Sequence, residues 1–272
     1  MRLDAGCMLT YHVEAPTPAM LMLRPRSGAS QWVARQEYEF SAELFAVEYT
    51  DRYGNLCQRV MLPEGDVKIV ARFTVEVADV IDTAPGAPLT LVQDLPDYTL
   101  HFLLPSRYCP ADLPTMSEQA RAITAEVAAG YDQVEAIRQW INQQITYQYG
   151  TSNSSSSALD TLEQRVGVCR DFAHLGITLC RSLSIPARMV VGYLHQLDPM
   201  DQHAWFEAYC NGRWYTFDAT QTEPRGGRIA LAYGTDAADV AFATLFGPAR
   251  LNDMKVWVSE VGLGSILRDN VL

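Results

Sequence analysis

GVCRDFAHLGITLC, residues 167–180, places a Cys, an Asp and a His within six positions at the start of an apolar periodic run. Val168, Phe172, Leu175, Leu179 and Leu183 recur at helical spacing, which predicts a buried helix over 168–184 that ends before Pro186. Cys169 then lies in the first turn, where unpaired N–H groups and the positive end of the helix dipole favour a thiolate. The local Cys-Asp-His cluster is not a catalytic triad. At about 100° per residue, Asp171 sits about 200° and His174 about 140° round the helix from Cys169, so neither side chain faces the thiol. The neighbours that do face it are Phe172 and Ala173. Asp171 and His174 therefore read as groups that support the site or the fold from behind, the first serving the helix terminus and the second a hydrogen-bonded core histidine. A base for Cys169 must come from elsewhere in the chain.

The segment HAWFEAYCNGRWYTFDAT, residues 203–220, supplies one. Asn211-Gly212 is a strong hairpin signal between two β-rich runs. A two-residue loop pairs Cys210 with Arg213 and sets Phe206 opposite Phe217. Ala204, Phe206, Ala208 and Cys210 then form the core face, while His203, Trp205, Glu207 and Tyr209 share the other. In that register His203 is diagonal to Asp218, about 7 Å away across the strands and within reach of a His–Asp hydrogen bond. A thiol at a helix start, an imidazole to exchange its proton and a carboxylate to orient the imidazole are what nucleophilic acyl chemistry requires. Cys169, His203 and Asp218 are thus the candidate catalytic residues, with the Cys169 backbone N–H as an oxyanion donor and Tyr147, in ITYQYG, as a candidate second donor. Trp205 and Trp214 are candidates for lining a substrate groove, against the simpler reading of cross-strand packing.

Around this half the chain changes period. Residues 1–105 read as an antiparallel, β-sandwich-like domain. Its clearest strand is GDVKIVARFTVEVAD, residues 65–79, where Val67, Ile69, Ala71, Phe73, Val75 and Val77 alternate with mostly polar neighbours. CMLTYHVE and AMLMLRP read as further strands, and a hairpin is expected around Asp51–Asn55. The segment between Pro96 and Pro114 reads as the connection to a second unit, residues 106–272, with a C-terminal strand extension. There Thr115-x-x-Glu118 predicts a capped helix ended by Gly130, Asp132-x-x-Glu135 opens another, and GTSNSSSSALD reads as an exposed loop.

Composition narrows the function classes. The 272 residues are 48% apolar and 19% charged, a profile with enough apolar surface for a full core. A net charge of −11 with no Lys/Arg-rich run argues against nucleic acid as a partner. No run of 18 apolar residues argues for a membrane span, and the first 20 residues do not read as a signal peptide, so the cytoplasm is the expected location. The six cysteines form no C-x-x-C pair, and Cys169, His174 and His203 lack a fourth ligand at metal-site spacing, so no metal is expected.

GVCRDFAH, the following SIPARMVVGYL, then HAWFEAY and W-x-x-FDAT closely resemble the motifs of the bacterial transglutaminase-like cysteine-protease family, in the same order. The β region with its DRYGN turn and PSRY connection is similar to the N-terminal domain of such proteins, and GTDAADV resembles their GRDxxDV stretch. Two positions depart from the family pattern: Ala219 stands where Pro is usual, and Thr235 where Arg is usual. The resemblance implies an α+β architecture with a papain-like, transglutaminase-like core and Cys169, His203 and Asp218 as the triad. It also implies thioester chemistry on the amide bonds of a peptide or protein substrate, without metal or organic cofactor. Acyl transfer to an amine, and a non-catalytic peptide-binding module, are the alternatives.

Overall fold

A computed structural model describes residues 1–262. In chain order the strands and helices are β1 (Arg2–Val13), β2 (Thr17–Arg24), β3 (Gln31–Phe40), β4 (Val47–Thr50), β5 (Leu56–Leu62), β6 (Gly65–Val77), α1 (Asp97–Leu100), α2 (Pro114–Thr124), α3 (Tyr131–Gln144), β7 (Thr146–Tyr147), α4 (Ala158–Gln164), β8 (Val166–Gly167), α5 (Cys169–Ser182), β9 (Ala187–Leu194), β10 (His203–Cys210), β11 (Arg213–Phe217), β12 (Arg228–Gly234), β13 (Ala243–Leu245) and β14 (Ala249–Glu260). The architecture is α+β, with three four-stranded antiparallel sheets.

Two sheets, ordered β14-β1-β6-β3 and β13-β2-β5-β4, make the β-rich half. The alternation read in β6 holds, since Val67, Ile69, Ala71, Phe73, Val75 and Val77 are all buried. They share a core with Leu3 and Leu9 of β1, Leu21 and Leu23 of β2, and Leu62 of β5. The chain returns to this half at its end. β13 pairs with β2, and β14 runs antiparallel to β1 from Leu3↔Glu260 to Val13↔Ala249. In space, strands from 243–260 therefore complete the sheets begun by residues 1–77.

The third sheet, β11-β10-β9-β12, carries α2, α3 and α5 on one face. Ala204, Phe206 and Ala208 of β10 face those helices, as the hairpin register requires. Phe206 stacks on Phe217 at 5.7 Å, and burying each ring stabilises the core by roughly 2–3 kcal/mol. At the far edge, Tyr193, Ile229 and Leu231 join the core of the β-rich half, so one sheet serves both cores.

Helix starts are set by backbone geometry more than by the expected caps. α2 begins at Pro114, with Leu113 as N-cap and no side-chain cap. Proline at the first helical position has no N–H to satisfy and a preset φ, so Thr115 is already inside the helix. α2 ends at Thr124, and Gly130 is the N-cap of α3 instead of a helix end. Gly130 takes φ 118°, and a Cβ there would overlap backbone atoms of 87–89. Gln133 accepts from the Gly130 N–H, while Asp132 turns outward and accepts from Gly86 N–H at 2.9 Å. Ser154 and Ser155 of the serine run are exposed as read, whereas Ser156 is half-buried and Ser157 caps α4, which starts inside the ALD expected to be loop.

Candidate active site

α5 starts at Cys169 with Val168 as N-cap. Asp171, buried on the third residue of the helix, folds back and accepts from the Val168 N–H at 2.9 Å. It thus satisfies one of the orphan donors of the helix start and fixes where the first turn begins. The parallel pairing of β7 with β8 sets Tyr147 against Gly167, two residues before the thiol. The Tyr147 ring leans on Phe172 at 5.8 Å and on Tyr149 at 5.4 Å, and stays 41% exposed. Its hydroxyl meets the backbone N–H of Cys169 and the hydroxyl of Tyr149. Burial, the neighbouring Cys169 charge and the Tyr149 hydrogen bond all hold the phenol well above its ordinary range, so it stays a protonated donor.

His203 opens β10 opposite Gly192 of β9. The β10–β11 register is the one the Asn211-Gly212 turn dictates, from Phe206↔Phe217 to Cys210↔Arg213. β11 stops at Phe217, and the chain turns so that Asp218 reaches the imidazole. His203 Nε2–H donates to Asp218 Oδ2 at 2.7 Å, with both side chains almost wholly buried. Thr220 completes the carboxylate, donating its N–H at 3.0 Å and its hydroxyl at 2.7 Å to Oδ1. From α3, Asn142 donates to Ala219 O and Arg138 to Gln221 O, clamping the turn that carries Asp218. The alanine at 219 is therefore held by a side chain of α3 where the family pattern uses a proline.

The other edge of the His203 ring faces the Cys169 thiol. The thiol acts on the ring both as a hydrogen-bond partner and through its charge. Burial alone would lower the imidazole, but the charge and hydrogen bond of Asp218 outweigh it, helped by Cys169, and push His203 up to about 9. Burial would likewise raise Asp218, yet the charges of His203 and Arg228 and the bonds from His203 and Thr220 hold it well below the carboxylate range. The site can therefore hold an imidazolium and a carboxylate together at neutral pH. Burial pushes up the thiols of Cys7 and Cys57, that of Cys109 to about 11, that of Cys210 to about 12, and that of Cys180 well above its ordinary value.

His174 is on the opposite side of α5, fully buried. Its Nε2 accepts from Ala237 N–H at 3.1 Å, and Tyr108 stacks on it at 5.1 Å. Trp205 is 2% accessible and lies beneath His203 at 6.1 Å, a support for that ring rather than the wall of an open groove. Trp214 packs edge-on against Phe102 and Tyr209, both at 5.3 Å, with the Arg188 guanidinium 4.2 Å above it.

Sequence reading passed over Arg228. It is buried, its Nε–H donates to Arg225 O at 3.1 Å, and its Nη1 lies 2.8 Å from Asp218 Oδ2. The N–H directions are off the line to that oxygen, so the contact is one of charge more than of hydrogen bonding. β12 reaches this position because β9 has Gly192, where any Cβ would overlap the Ile229 carbonyl. No local pattern in PRGGRI announces the role; it depends on how β12 docks.

The transglutaminase-like superfamily model matches residues 117–219, a span holding Cys169, His203 and Asp218. A crystal structure titled a "putative cysteine protease" from Cytophaga hutchinsonii superposes with a TM-score of 0.88 at 36% identity, covering 95% of this chain and 90% of that one. Protein ML0607 of Mycobacterium leprae, uncharacterized, is 29% identical over 250 residues, matching 85% of this chain and 88% of its own length. The periplasmic domain of TgpA from Pseudomonas aeruginosa aligns at 18% identity over 79% of this chain and 87% of that one, with a TM-score of 0.41.

Proposed function

This chain belongs to the transglutaminase-like superfamily, and from that premise we propose that it is a cysteine-dependent hydrolase of peptide or isopeptide amide bonds. The observation that carries the proposal is His203, set between the Cys169 thiol and the buried Asp218 carboxylate and bonded to the latter at 2.7 Å. The neighbouring structure titled a "putative cysteine protease" adds support at the level of the whole fold. The cytoplasm is the location we propose, where six free thiols are stable.

In this mechanism the Cys169 sulfur attacks the amide carbonyl carbon, and the C–N bond breaks as the tetrahedral adduct collapses. The leaving nitrogen takes its proton from the His203 imidazolium, so the amine departs neutral and a thioester remains. Neutral His203 then takes a proton from water, which attacks the thioester and releases the acid and the thiol. Asp218 stays ionised throughout, holding the ring and stabilising its charged form. The backbone N–H of Cys169 and the Tyr147 hydroxyl are the donors for the oxyanion. Transfer of the acyl group to an amine differs only in which nucleophile reaches the thioester. A pure binding module is disfavoured because it has no use for a buried imidazolium–carboxylate pair beside a helix-start thiol.

Two measurements test the reading. Iodoacetamide labelling followed across pH, with the modified cysteine located by mass spectrometry, is expected to show fast reaction at Cys169 below pH 7 and slower reaction in His203→Ala. Labelling that tracks an ordinary thiol near 8.5, unaffected by His203→Ala, would overturn it. Incubation with a peptide mixture and an amine donor then separates cleaved products from amine-tagged ones.

A further inference from the structure

Asp218 is served from two sides, and only one belongs to the triad. Oδ2 accepts the His203 Nε2–H at 2.7 Å and lies 2.8 Å from Arg228 Nη1, while both Oδ1 bonds come from Thr220. Both Arg228 and Asp218 are buried, so little water screens the contact. The guanidinium is held in place on three sides. Its Nε–H donates to the Arg225 carbonyl, its face lies 5.1 Å over the Trp205 ring, and its fork reaches the carboxylate. Trp205 also stacks beneath His203, so one indole supports both cations. Among the described residues Nη1 and Nη2 have no hydrogen-bond partner, and a permanent charge buried this way needs the carboxylate beside it.

Resting on the cysteine-hydrolase reading above, we infer that Arg228 is a positioning residue of the same site: its guanidinium shares Asp218 Oδ2 with His203, partly neutralises the carboxylate, and so sets how tightly His203 holds its proton. With Arg228 absent, His203 would face the full carboxylate charge and keep its proton to higher pH. The thiol would lose the help of a nearby cation and ionise later. Removing one positive charge moves both titrations in the same direction.

The other charged groups around the pair do not replace Arg228. Arg138 of α3 is tied to Glu135 by two bonds, at 2.7 and 2.8 Å. Arg225 and Arg138 both feel the Asp218 charge, but Arg225 donates to the Gln196 carbonyl and Arg138 is also offset by Glu223 on the following turn. From α5, Cys169 faces His203.

The test is the pH profile of Cys169 alkylation by iodoacetamide in the full chain, for wild type, Arg228→Gln, Arg228→Met and Arg228→Lys. Wild type is expected to show two inflections, one as the thiolate–imidazolium pair forms and one as the imidazolium loses its proton. In Arg228→Gln and Arg228→Met both inflections should move to higher pH by roughly half to one pH unit. Arg228→Lys keeps the charge on a shorter reach and should move them in the same direction by less. A purely structural Arg228 would change rates or stability and leave the inflections alone. Folded Gln and Met variants with wild-type inflections overturn the inference. If neither folds, the Lys variant decides, and an unmoved Lys profile overturns it. A wild-type profile with a single inflection near 8.5, indifferent to His203→Ala, instead overturns the hydrolase reading itself.

Discussion

His203 and His174 are both buried in the same half of the molecule, 34 and five residues after Cys169, and their surroundings drive them in opposite directions. His174 accepts from a backbone N–H and feels the charges of two arginines, Arg170 and Arg181. Burial and those two cations hold it well below 6.5, a neutral ring. His203 donates to an ionised carboxylate and is pushed up to about 9. A buried imidazole is neutral by default, and one well-placed carboxylate is enough to reverse that. His174 belongs to a framework that joins the two halves. Asp236 accepts from Tyr108 and Ala238 backbone N–H groups, Arg181 donates to the carbonyls of Leu104, Ala187 and Thr235, and Asp239 accepts from Tyr53 and Thr235. The DRYGN, PSRY and GTDAADV stretches therefore meet here, in a knot of hydrogen bonds that holds the fold away from the thiol.

The sharpest way to break the comparison is to remove the reacting groups on one side only. Cys169→Ala should abolish amide cleavage, a loss of at least about 10³-fold, with the thermal midpoint little changed. His203→Ala should slow alkylation of Cys169 at pH 6.5 by roughly a hundredfold. The other five thiols, all pushed up by burial, should stay unlabelled there, and mass spectrometry reads each cysteine separately.

Asp218→Asn should turn His203 into a second His174. Without the carboxylate, burial dominates, the imidazolium no longer persists at neutral pH, and cleavage at pH 7 should fall by roughly a hundredfold. The same linkage acts on stability with a definite sign. His203 is raised in the folded state, so its contribution is full below about pH 6.5 and is lost as the pH rises through about 9, at most about 3 kcal/mol. Asp218 is depressed, so its share is present above its unfolded value of 3.8 and is lost as the pH falls below it. Urea midpoints measured from pH 3 to 10 should decline at both ends in wild type, and the alkaline decline should be absent in Asp218→Asn.

The two regions were unequally legible. The helix start at Cys169 and the β10–β11 register follow from short-range rules, a 3.6-residue period and an Asn-Gly turn, and both appear where those rules put them. Asp171 at the helix terminus is legible for the same reason. Helix caps at 115 and 132 were misplaced because Pro114 and Gly130 decide those ends through the backbone. Arg228 and the return of β14 to β1 could not be read locally, since period-2 alternation marks a strand without naming its partner. Trp205 looked like a groove residue only because the sequence does not show that its face of the hairpin is also covered.

Tyr147 tests the edge of the active side. Tyr147→Phe keeps the ring against Phe172 and removes only the hydroxyl that meets the Cys169 N–H. With part of that site open to water, the loss in kcat/KM should be about tenfold, below the 10²–10³ typical of a fully buried oxyanion donor. An unchanged kcat/KM would leave the Cys169 N–H without Tyr147 as its companion donor.

The smallest effect on chemistry should come from the other histidine. His174→Phe preserves the stack on Tyr108 and deletes the acceptor of the Ala237 N–H, leaving that half-buried donor unpaired. The cost falls on stability, about 1–3 kcal/mol, with the alkylation inflections of Cys169 where they were. The two-sided outcome discriminates because His174 sits on the same helix as the nucleophile, five residues away, so any sharing of protons through α5 would show as a moved inflection. A shifted profile in His174→Phe would join the two regions that the geometry separates. An unshifted one, with a lowered urea midpoint, would leave the ionisation of Cys169 to His203 and the groups around it, with no part for His174.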